Sequence, residues 1–176
     1  MNALRSVRSL HAFVAAALVA MPLCAQAQTA GKATILHAAE ATKLLPDAVY
    51  FAGKSVTTQL RNSAGVHYAD GHYVLAVLVD TSGYSTSVQE KYQGYLLTEI
   101  PLEFGDHRLP AGAYGIGFVG DHFGVMDIGT HDLLQAPASH DAAMTRPMPL
   151  EIIPGSSPGD YRLCFGRSCV DFHRAK

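Results

Sequence analysis

The chain lacks a second long hydrophobic run, a basic cluster and an array of cysteines, and each absence removes a class of function. Its one long apolar run, residues 13–23, follows Arg5 and Arg8 and precedes Ala25-Gln26-Ala27. That is the pattern of a signal peptide with small residues at its cleavage site. The run is short for a bilayer and no other follows, so stable membrane insertion is not expected. Leu23 stands before Cys24 where a lipoprotein signal wants a small residue, which sets lipidation aside. Cleavage after Ala27 leaves residues 28–176, which have room for a single domain with one sizeable core, periplasmic or secreted. Without Arg5 and Arg8, 11 of the 13 basic residues face 15 acidic ones, a formal charge of −4. With no basic run, nucleic acid is not expected as a partner.

Helical periodicity is also scarce. Residues 35–45 (ILHAAEATKLL) place Ala and Leu at helical spacing before Pro46, which predicts one short N-terminal helix or frayed turn. Residues 82–94 (SGYSTSVQEKYQG) are polar and turn-rich, with a helical turn at 88–92, and form the first candidate functional loop.

What is present is alternation. Leu96, Thr98, Ile100, Leu102 and Phe104 share one parity, so residues 96–104 read as one strand with a core face and a wet face. In residues 113–119, Tyr114, Ile116 and Phe118 oppose Ala113, Gly115, Gly117 and Val119, leaving one face nearly bare. Such a row of glycines marks a bend or a close approach by another backbone, a ring or a ligand. Residues 72–80 (HYVLAVLVD) are apolar without alternation, as in a central strand buried on both faces, and Asp70-Gly71 before them signals a hairpin. Residues 55–62 alternate weakly as an outer strand would, and Asn62-Ser63-Ala64-Gly65 reads as a turn. Residues 131–149 carry three prolines and no clear period, which predicts a long irregular connection. Short strands follow at 150–153, 161–164 and 169–172. The class is all-β: a single antiparallel β-sandwich, or a partly open barrel.

Cys164 and Cys169 are the two cysteines beyond the signal peptide, and they bracket a plausible hairpin loop between strand-like runs. Opposed residues of an antiparallel pair lie within disulfide reach, and an exported chain meets an oxidising compartment, so a bridge is expected.

The chemical motifs are sparse. Gly115-Ile116-Gly117-Phe118-Val119-Gly120 matches a dinucleotide fingerprint by letter, but no helix start follows it, so the glycines read as strand geometry. Eight histidines remain after cleavage, four of them beside aspartate. Of these, His122, His131 and His140 form a candidate metal site if the long connection folds back, and a divalent metal is the one cofactor the chain could hold. Tyr84, Tyr92 and Tyr95 cluster around the polar loop. With Tyr114, Gly115 and Gly117 they make a candidate ligand platform, or a cover for the open end of a sandwich. No Ser-His-Asp order, nucleophile elbow or P-loop is present.

Two short resemblances complete the reading. Val77-Leu78-Val79-Asp80-Thr81-Ser82-Gly83 resembles the hydrophobic-hydrophobic-Asp-Thr-Gly motif of the retropepsin-like aspartic proteases. The resemblance implies a catalytic carboxylate at Asp80, although Ser82 displaces the glycine by one position. Leu109-Pro110-Ala111-Gly112-Ala113-Tyr114-Gly115 is similar to the L-P-A-G-x-Y-G hairpin of secreted bacterial β-sandwich domains of unknown function, and implies a fold but no chemistry.

Two functions are therefore in competition. One is an exported, non-enzymatic binding or interaction module for an unidentified small molecule or protein, engaged near the glycine-faced strand and the 82–94 loop. The other is a secreted hydrolase built on Asp80 or on a His/Asp metal site.

Overall fold

A computed structural model describes residues 32–176; the signal peptide expected at 1–27 lies outside the described residues. The chain begins with β1 (Thr34–Leu36), α1 (Ala38–Ala41), β2 (Ala48–Phe51), β3 (Lys54–His67), β4 (Tyr73–Val79), α2 (Thr86–Lys91) and β5 (Gly94–Thr98). It continues through β6 (Leu102–Phe104), β7 (His107–Leu109), β8 (Gly112–Val119), β9 (His122–Met126), β10 (Asp132–Pro137) and β11 (Ser139–His140). The last strands are β12 (Glu151–Pro154), β13 (Asp160–Phe165) and β14 (Ser168–Arg174). Two antiparallel sheets result. The first runs β1-β3-β4-β5-β8-β9-β10 with β2 also paired to β3, and the second runs β12-β13-β14-β6-β7 with β11 paired to β14. This is the β-sandwich that the alternation predicts.

The main core lies between the sheets, where Val74, Ala76, Leu96 and Ile116 meet Leu102, Phe104, Leu163 and Phe172. A second core lies on the other face of the first sheet, where Leu75, Val77, Tyr95 and Met126 pack under Ala41, Val49, Phe51 and Tyr92. The unbroken apolar run of β4 follows from this, because Val74 and Ala76 enter one core while Leu75, Val77 and Val79 enter the other. The β3–β4 hairpin closes at Asp70-Gly71 as expected, with His67 opposite Tyr73 and Gly71 at φ 90°. The carboxylate of Asp70 accepts a hydrogen bond from Arg174 of the last strand, and this pulls its pKa down to about 2. The hairpin tip is thereby tied to the C-terminal end of β14 in the second sheet.

Six expectations require correction. The helix expected over 35–45 shrinks to the four residues of α1, because residues 34–36 join the sheet opposite His67, Val66 and Gly65. A second short helix, α2, occupies the polar loop where a helical turn was read at 88–92, so the described residues hold two helices where one was expected. Residues 55–62 are not an outer strand; they belong to the 14-residue β3, which pairs with β1, β2 and β4. The turn read at 62–65 is instead a bulge, where the register passes from Gln59 opposite Leu78 to Ser63 opposite Val77. Residues 96–104 are two strands in different sheets, β5 and β6, with Glu99-Ile100-Pro101 carrying the chain across. Residues 131–149 include β10, whose Leu134 and Ala136 enter the main core, and β11. Pro137 ends β10, an outermost strand where a missing amide costs little.

The disulfide forms as expected. Cys164 and Cys169 oppose each other in register with Cα atoms 4.1 Å apart, across a two-residue turn at Gly166-Arg167. The segment leading into β8 is not a hairpin, since β7 belongs to the second sheet and β8 to the first, and its path is fixed by one side chain. The Tyr114 hydroxyl donates to the Pro110 carbonyl at 3.0 Å and lies over Gly112, where a methyl group would meet the hydroxyl oxygen at 2.7 Å and the ring at 2.9 Å. Pro110, Gly112 and Tyr114 thus form one unit that aims β8 into the sheet.

Candidate functional site

The bare face of β8 is occupied by the chain itself. Phe51, at the end of β2, stacks on Tyr92 with ring centroids 3.7 Å apart, and both lie over Gly115. Tyr84 packs edge-on against both rings and donates its hydroxyl to the Phe51 carbonyl at 2.6 Å. Gly117 lies directly beneath the Lys91 carbonyl at the end of α2. Gln93 fixes that approach: its side-chain amide donates to Phe118 O at 3.0 Å and its side-chain oxygen accepts from Phe118 N at 3.1 Å. The 82–94 loop is therefore a cap over the second core.

This places the expected platform residues. Tyr84, Tyr92, Tyr95, Gly115 and Gly117 do come together, but as a packed interior with no room for a ligand over the glycines. Tyr114 points to the opposite face, into the main core. Burial pushes the Tyr92 phenol well above its ordinary pKa, and its hydroxyl is enclosed with no hydrogen-bond partner among the described residues. An orphaned buried hydroxyl is costly while its ring is not. Tyr92→Phe should keep the stack on Phe51 and raise stability by about 1 kcal/mol in urea denaturation.

The candidate chemical groups do not converge. Asp80 is exposed and accepts a hydrogen bond from the Ser82 amide at 3.0 Å, closing an Asx turn, and this bond holds its carboxyl below the usual carboxylate pKa. His122 contacts Asp121 at 2.6 Å and His131 contacts Asp127 at 2.9 Å. His122 lies opposite Pro137, whereas His131 adjoins Asp132, which lies opposite Met126. The two histidines thus occupy opposite ends of the β9–β10 hairpin, roughly 13 Å apart at about 3.3 Å per residue. His140 belongs to the second sheet, opposite Ser168. Among the described residues no three His, Cys, Asp or Glu side chains are close enough to share a metal ion, which corrects the His122, His131 and His140 grouping.

A groove that the sequence did not reveal lies one strand beyond the filled glycines. Gly124 of β9 opposes Gly117 of β8, and Gln135 of the outermost strand β10 opposes Gly124. A methyl group on Gly117 would strike backbone, whereas one on Gly124 would meet only the Gly117 carbonyl oxygen, at 3.9 Å. Gly124 is therefore the open floor of a pocket of about 70 Å³, walled by Val119, His122 and Met126 and bounded by Lys91, Asp132 and Gln135. Lys91 bridges from α2 to Asp132 at 2.8 Å and forms its roof edge. A second hollow of about 160 Å³ lies across Lys91 and Met126, bordered by Ser87, Val88 and Thr130. Thr130 adopts φ 75°, a conformation that disfavours a β-branched residue, so backbone strain is held at this rim. The signal for Gly124 was its place opposite Phe123 and Val125 in the alternation, but only the fold shows that the α2 cap stops short of it.

The chain matches no protein-family model, no curated protein and no solved structure.

Proposed function

We propose that the chain is an exported, non-enzymatic binding or interaction module that takes a small group of its partner in the Gly124 groove. One observation carries this reading: an uncovered glycine floor beside apolar walls, spanned by the exposed Lys91–Asp132 pair. The mixture suits a group with an apolar body and a polar end. A volume of about 70 Å³ is well below that of pockets for drug-sized ligands, and matches a single side chain or a ligand fragment. Anchoring one side chain in a desolvated pocket within a polar rim is how many protein interfaces concentrate their affinity. The buried disulfide fits an exported chain.

The test is a fragment titration followed by amide shifts in the labelled protein, using small amphiphilic amides and alcohols. Shifts should cluster at Gly124, Met126 and Gln135, and Gly124→Leu, which fills the groove, should abolish them without lowering the melting temperature. Shifts that persist in Gly124→Leu, or that map to another face, would contradict the reading.

A further inference from the structure

Cys164 and Cys169 lie on the outer face of the second sheet, since their neighbours Leu163 and Val170 enter the main core, yet both are 0% exposed. Residues 139–149 are bound to the turn and strands that carry this bond. Ser139 and His140 pair with Cys169 and Ser168 along the edge of β14. From the turn that the disulfide closes, Arg167 Nη1 donates to the carbonyls of Asp141, Ala142 and Met144. The same turn exchanges backbone bonds with the segment, Asp141 N to Arg167 O and Gly166 N to Met148 O. Arg162, on the face of Cys164, reaches the Asp141 carboxylate at 3.2 Å and the Ser139 hydroxyl at 3.0 Å. Most of the segment is otherwise exposed, so these polar ties hold it more than apolar packing does.

We propose that residues 139–149 form a flap that shields the Cys164–Cys169 bond from external thiols, with Arg167 as its latch. Reduction by a small dithiol requires a thiolate to attack one cysteine sulfur in line with the S–S bond. That bond breaks, the other cysteine leaves as thiolate and takes a proton, and the second thiol of the reagent then displaces the mixed disulfide. The protein gains two electrons and two protons while the dithiol becomes a cyclic disulfide. In-line access is what the closed flap denies, so exchange proceeds through local opening of residues 139–149 rather than through global unfolding. The turn anchors the flap and the flap covers the bond that closes the turn, so loss of either weakens the other. The inference does not depend on the Gly124 groove.

The experiment is the rate of reduction by dithiothreitol under native conditions, read by trapping free thiols with a maleimide and counting adducts by mass. Wild-type protein should react far more slowly than the same protein in concentrated guanidinium. Arg167→Ala, with its circular dichroism unchanged, should react at least about tenfold faster than wild type, the scale set by losing one charge-assisted hydrogen-bond group. Should Arg167→Ala fail to fold, Asp141→Asn, which loosens the Arg162 tie, must show the same acceleration. Native reduction as fast as in guanidinium overturns the proposal, and so does a folded latch variant that reacts at the wild-type rate.

Discussion

Replacement of Phe51 by alanine should cost about 3–5 kcal/mol, the range for deleting a fully buried phenylalanine. Phe51 is 0% exposed and stands at the centre of the second core. Its ring is the stacking partner of Tyr92, the edge partner of Tyr84 and the cover of Gly115. Its backbone carbonyl takes the Tyr84 hydroxyl, so the loop between β4 and β5 is joined to it twice. Truncation therefore empties a cavity that no neighbouring side chain can fill and removes an aromatic contact worth about 1 kcal/mol beyond its area. In urea the midpoint should fall sharply, and the near-ultraviolet signal of the tyrosines should weaken before the sheet signal does. A loss below about 1 kcal/mol would show that the second core does not brace the first sheet.

The reverse change, filling instead of emptying, should be nearly as severe. Gly117→Ala places a methyl group against the Lys91 carbonyl, and a backbone oxygen at the end of a helix has no rotamer by which to retreat. Either α2 lifts or β8 is pushed inward, and overpacking of this kind costs about 1–3 kcal/mol or more. Lifting is the softer path, since α2 is six residues long and buries none of its own side chains. It would break the Gln93–Phe118 pair and draw Lys91 away from Asp132. Gly117→Ala should then lose about 3 kcal/mol in urea and also lose fragment shifts at Gly124, although it does not line the groove. Gly124→Ala, directly opposite in the register, should stay within about 0.5 kcal/mol of wild type because its methyl group enters open space.

Much of the sandwich was legible because period-two burial is a local property. The parity of Tyr114, Ile116 and Phe118, the two-faced run of β4, the Asp70-Gly71 hairpin and the cysteine pair all reappear in the structure. The break between β5 and β6 was hidden for a physical reason. Leu96, Thr98, Ile100, Leu102 and Phe104 are all buried, since both sheets face the same core and parity survives the passage between them. The false turn in β3 arose because small residues can mean close packing as well as flexibility. A methyl group on Gly65 would meet Leu75 at 2.7 Å and the Val74 carbonyl at 2.8 Å. The site was legible as a bare face and no further. What lies over Gly115 comes from Phe51, far earlier in the chain, and no local pattern announces a tertiary contact of that range.

The central claim is that the bare face of β8 is filled by the chain's own rings while the adjoining face of β9 stays open. The most direct measurement is the proton spectrum of the glycine Hα atoms with their through-space contacts. Gly115 Hα resonances should be displaced by ring currents and give cross-peaks to the Phe51 and Tyr92 rings, whereas Gly124 Hα should show neither. Unshifted Gly115 resonances without contact to those rings would contradict the account.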